Sequence, residues 1–184
     1  MKFINIKNEP GWKYVQGQPK TRIENTARVW GFGKVFGNAK IYGTSQVWAN
    51  AKVGDNAKVF GNASVHNTAR VGGNAMIGGD AQIGGNARIY GDSIIDGNAQ
   101  IGGDGEILKT EDHMVIESPN KMPITLHRDK EIGIRINWYD FTGTIEEYIF
   151  EHRKFKNQYF HQGMIPKYYN ILKNRMTPLE AERE

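Results

Sequence analysis

A six-residue period runs through half of this chain and leaves it few folds to choose from. Stepping by six from Ile23 reaches Val29, Val35, Ile41, Val47, Val53, Val59, Val65, Val71, Ile77, Ile83, Ile89, Ile95, Ile101 and Ile107, so that all 15 positions are Ile or Val. Two residues before each stands a small one, from Thr21 and Ala27 through Ala51, Ala69 and Ala87 to Gly105. Two residues after it comes Gly at 10 of 14 internal steps, with Asn25, Asp55 and Asn67 at three others, types that tolerate positive φ. Ala49 alone departs from this turn rule. The turns explain why 22 of 184 residues are Gly, well above the usual ~7%. One large and one small inward position per hexad is the pattern of a parallel β-helix, not of an alternating strand or an amphipathic helix.

The unit Val35-Phe-Gly-Asn-Ala39-Lys and its neighbours, an aliphatic residue followed four later by a small one, resemble the left-handed hexapeptide-repeat family. The resemblance covers residues 20–109. It implies a mainly β chain: a left-handed parallel β-helix of about five coils, three hexads to a coil, with residues 1–19 as an N-terminal cap and 110–184 as a small α+β cap. Acyltransferases of that family carry a loop that arches over an acyl-CoA donor, and a His general base. Here no insertion interrupts the hexads, and the only His among them is His66, a weak catalytic candidate with no orienting partner legible in sequence. Zinc chemistry, also found on this fold class, needs converging imidazoles. His113, His127, His152 and His161 all lie outside the repeat, so no metal is expected, and no cofactor unless the acyl-CoA reading holds.

Residues 18 apart should stack on successive coils, which makes the three outward columns legible. One reads Lys34, Lys52, Arg70, Arg88 and then Glu106. Like charges at the ~4.8 Å strand spacing repel, so this column is a candidate strip for nucleic-acid phosphate, another anionic ligand or an acidic protein surface; a solvated face with long shielding stems is the bland alternative. A second column, Arg22, Lys40, Lys58, Met76 and Ile94, turns apolar, and Met76 with Ile94 are expected to dock the C-terminal module, which is also expected to close the last coil because an open coil end exposes unpaired backbone groups. The third, Arg28, Gln46, Ser64, Gln82 and Gln100, is polar. At the corners, Trp30, Trp48 and His66 fall in one column, and Tyr42 with Phe60 in another. Such aromatics are either a binding platform or covered from within.

After residue 109 glycine gives way to aromatic and charged residues. Met114-Val-Ile, Ile124-Thr-Leu and Ile132–Trp138 read as strands. Thr144 with Glu147 forms a capping box ahead of a helix carrying Ile145, Tyr148, Ile149, His152 and Phe155. A last helix starts near Pro166, with Tyr168, Tyr169, Leu172 and Met176 on one face. The run Phe141-Thr-Gly-Thr-Ile-Glu-Glu and the aromatic helix after it resemble the C-terminal segment of uncharacterised bacterial and phage hexapeptide-repeat proteins that are labelled putative transferases.

Charge selects little: 24 Lys and Arg against 20 Asp and Glu leave a net +4. The absence of Cys excludes disulfides and thiolate chemistry. No apolar run approaches the ~18 residues of a membrane span and residues 1–20 have no signal-peptide centre, so a soluble, cytoplasmic protein without a membrane partner is the expectation. The reading favoured is a non-catalytic scaffold that binds a macromolecular or anionic partner, as a phage-type inhibitor or accessory protein would. Its sites would be Lys34, Lys52, Arg70 and Arg88 with Trp30, Trp48 and His66. An acyltransferase and a self-assembling structural protein, the latter a homo-oligomer, are the alternatives, because fold by itself does not choose.

Overall fold

The structure, a computed structural model, describes residues 1–5, 10–117, 122–153 and 163–176. Each hexad contributes one strand. After β1 (Phe3–Asn5), β2 (Trp12–Val15) and β3 (Gln18–Glu24), the chain runs through fourteen two-residue strands, β4 (Arg28–Val29) to β17 (Glu106–Ile107). Every third one pairs in parallel, which wraps the chain into a β-solenoid of about five turns with three faces. The register is the 18-residue one read from sequence, for example Val65 opposite Val47 and Ile83.

The Ile/Val column and the small-residue column fill the interior. All of the former are buried except Val29, which is partly buried and packs on the rest. At about 1.5–3 kcal/mol per fully buried side chain, this column is the largest stabilising term in the solenoid. Where the small residue is Ser, its hydroxyl is satisfied locally: Ser45 Oγ donates to the Tyr42 carbonyl at 2.8 Å and Ser93 Oγ to that of Tyr90 at 2.9 Å. Polar ladders run outside the turns. Asn38 donates to Asn56 at 2.8 Å, Asn56 to Asn74 at 3.0 Å and Asn74 to Asp92 at 2.8 Å. They tie successive coils together through side chains as well as through backbone.

At the N-terminus, β1 and β2 add antiparallel strands to one face only, the one that begins with β3. The other two faces start at β4 and β5 with no described strand beyond them. The three expected strands and both expected helices follow the solenoid. β18 (His113–Glu117), β19 (Pro123–Asp129), β20 (Gly133–Trp138) and β21 (Phe141–Gly143) form an antiparallel sheet, with β21 an addition to the sequence reading. α1 (Ile145–His152) begins at the Thr144–Glu147 capping box, and α2 (Ile165–Arg175) carries Pro166 in its first turn. Leu172 is buried, and Tyr168, Tyr169 and Met176 pack on the same core. Phe155 and His161 lie outside the described residues.

The docking expectation for Met76 and Ile94 is corrected here. Ile94 is 47% exposed; the module closes the end of the last coil, as expected, but does not cover this side face. The physical reason is the coil's open backbone edge. β19 alternates: Ile124 and Leu126 enter the module's own core, whereas Thr125, His127 and Asp129 face the coil. Gln100 N–H donates to Thr125 Oγ1 at 2.9 Å, Gly102 N–H to His127 Nε2 at 3.4 Å and Asp104 N–H to Asp129 Oδ2 at 3.2 Å. The exposed carbonyls are met too, Gln100 O by Asn137 Nδ2 at 2.8 Å and Asp104 O by Lys130 N–H at 3.2 Å. Asp112 accepts from the Leu108 and Lys109 N–H groups while Arg128 grips its other oxygen at 2.8 Å.

Candidate basic and aromatic edge

The four cations picked out from sequence stand on one face in one line. Lys34 is opposite Lys52, Lys52 opposite Arg70, Arg70 opposite Arg88, and Arg88 opposite Glu106. Lys34, Arg70 and Arg88 are exposed and Lys52 half-buried. None of the four forms an ion pair with a described residue. A row of cations at the parallel-strand spacing of ~4.8 Å, with no described carboxylate paired to it, concentrates positive potential along one line. The row stops at Glu106, whose Oε2 is buried without a hydrogen-bond partner among the described residues.

The aromatic column borders this face. It occupies the vertex between the Gln46–Gln82 face and the cationic face, because each ring follows the last residue of one strand and the cation lies one turn further on. Trp30 and Trp48 stack with centroids 5.1 Å apart and 5° between planes, and Trp48 and His66 with centroids 4.9 Å apart and 19° between planes. The ladder is open at its start, where Trp30 is 51% exposed. The Tyr42–Phe60 column is also stacked, at 5.3 Å, but there Trp12 from β2 leans on Tyr42. Among the described residues, internal cover is therefore real for one column and absent for the Trp30 end of the other. The sequence could not separate them, since the register of residues 12–24 depends on a bulge in the β2–β3 pairing.

His66 stacks on Trp48, and its buried Nδ1 has no hydrogen-bond partner among the described residues, so no described group orients the imidazole as a general base would need. The histidine that does have partners is one the sequence reading passed over. His127 is fully buried; burial pushes its pKa down to about 4, against the raising effects of the Arg128 carbonyl and Asp129. It is neutral, with Nδ1–H donating to the Arg128 carbonyl at 2.8 Å and Nε2 accepting from Asn137 at 3.0 Å. The signal that could have found it is the alternation Thr125, His127, Asp129 on a strand with an apolar opposite face. Asp129 shows opposed effects: burial would raise its pKa, but hydrogen bonds from Arg135 and from the Glu131 and Ile132 N–H groups hold it below the ordinary value. Among the described residues no three His, Asp or Glu side chains converge as metal ligands would. No described helix is long and apolar enough to cross a membrane.

The chain is a β-solenoid with a capped C-terminal end and a basic, aromatic edge. No protein-family model matches it, and no curated protein or solved structure does either.

Proposed function

We propose that this protein is a non-catalytic scaffold that binds a linear polyanion, the sugar–phosphate backbone of a single-stranded nucleic acid, along the Lys34–Lys52–Arg70–Arg88 row. The observation that carries this is the row itself: four cations in strand register, none of them paired with a described carboxylate. A straight file one residue wide suits one phosphate backbone, and the indole edges of Trp30 and Trp48 run beside it, as aromatic side chains flank cationic tracks in single-strand binders.

Four phosphate contacts on a single strand give a slope of log affinity against log salt of about −2.8. The charge reversals Lys52→Glu and Arg70→Glu together remove the middle of the row, and the slope then becomes shallower by about 1.4. Fluorescence anisotropy of a labelled oligonucleotide at several salt concentrations reads both. Salt-independent binding, or binding unchanged by the double reversal, would overturn the proposal. Thermal melting checks that the variant keeps its fold.

A further inference from the structure

The Trp30–Trp48–His66 ladder stops before its column does. The next two positions at the same corner are Gly84 and Gly102, and they leave a groove of about 240 Å³ beneath the imidazole. His66 lies against Gly84 so closely that a β-carbon there would come within 2.4 Å of His66 Cε1. One coil further on the space is open: a β-carbon at Gly102 would meet only Asn137 Nδ2, at 3.7 Å. The far wall is Tyr139, in the two-residue turn between Trp138 and Phe141. Tyr139 is 70% exposed and holds φ at +57°. That is the conformation a two-residue hairpin turn requires of its first residue, and it holds the ring out beside the groove. Gln82 and Gln100, outward on the adjoining face, line one side.

We infer that this groove binds one planar purine ring as the next rung of the ladder, stacked beyond His66 with its polar edge toward Gln82 and Gln100. Three features select that class. The rungs above are flat and parallel, and two of them are bicyclic indoles, so the vacated rung has the height of one ring and the breadth of a bicyclic one. The volume lies below the ~300–1,000 Å³ of sites for drug-sized ligands, which fits a single ring system. A primary amide supplies one donor and one acceptor side by side, the pairing that reads adenine's amino group and ring nitrogen. The ring can come from a free nucleoside or from a base of a bound strand. The inference stands apart from the cationic row, because it rests on the vacated corner and not on charge.

The test uses the full chain and follows the His66 imidazole resonances by NMR. Adenosine is expected to shift them through its ring current, and ribose 5-phosphate is not. Gly102→Phe fills the groove with the protein's own ring from a position where a side chain has room, and should weaken adenosine binding by roughly tenfold or more, in keeping with the loss of one stacked base. Gly102→Ala, which leaves most of the groove open, should keep it. Should Gly102→Phe not fold, the pair Gln82→Ala and Gln100→Ala replaces it, with the same expected loss. Absence of an adenosine-induced shift at millimolar concentration, or an equal shift in the filled variant, overturns the site. Oligo-deoxyadenylate distinguishes the sources: displacement of adenosine by the oligonucleotide assigns the ring to a strand, and simultaneous binding of both assigns it to a free nucleoside. Lys52→Glu with Arg70→Glu should leave adenosine binding intact, so failure of the row and failure of the groove are separable.

Discussion

Ala49 holds φ at +54° in a turn where ten of its counterparts are Gly, and it does so because the coils on either side impose the turn. The left-handed region costs an L-residue roughly 1–2 kcal/mol, part of which Gly would return as extra freedom of the unfolded chain. Ala49→Gly should therefore stabilise the protein by about 0.5–1 kcal/mol and raise the melting midpoint by about 2 °C, read by calorimetry. A lower midpoint would show that the Ala49 methyl makes contacts worth more than the strain. Asp55 and Asn67 occupy the same conformation at φ +54° and +57°, as their side chains suggest, whereas Asn25 does not. Asn25 follows the long strand β3 and belongs to the entry of the solenoid rather than to a coil corner.

The element that decides how the solenoid ends is β19. Its three inward polar residues do the work that a further coil would do, and His127 can accept from Gly102 only while neutral. Between pH 6.5 and about 4 the unfolded imidazole binds a proton and the folded one does not. Stability is therefore complete above pH 6.5 and falls as pH is lowered through that window, by an amount on the order of 3 kcal/mol. His113, whose pKa burial also lowers, adds in the same direction. Denaturant melts at pH 7 and 4.5 should show the loss, and His127→Gln, which keeps an acceptor without a titrating group, should remove most of it. An unchanged pH dependence in His127→Gln would place the titration elsewhere.

Taken as a whole, the molecule has unlike ends. The C-terminal edge is met by side chains of the module, whereas on two of three faces the N-terminal edge strands, β4 and β5, have no described strand on their outer side. Phe32 at 78% exposure, Trp30 at 51% and Phe36 at 40% surround them. An apolar edge of this kind is a template for a second chain, and a second copy supplies the same surface. Sedimentation over a concentration series should show self-association that Phe32→Glu weakens by about tenfold. Equal association by both proteins would put the contact on another surface.

The repeat was legible because each hexad solves the same local problem: a large and a small residue inward, and a turn residue that accepts positive φ. Those constraints act within 18 residues, so the inward columns, the cation row and the stacked aromatics could all be read from numbers in the sequence. The capping box at Thr144 and Pro166 in the first turn of α2 were readable for the same reason, since helix starts are local. What only the tertiary structure decided lies between segments far apart in the chain. Thr125 meets Gln100, and Asn137 meets Gln100 and His127, across 25, 37 and 10 residues. Ile94 stays exposed because unpaired N–H and C=O groups at the coil's end, not an apolar patch on its side, determined where the module sits. The groove below His66 follows from both: the two glycines are visible in the sequence, but its far wall exists only because β20 and β21 bring Tyr139 across to face them.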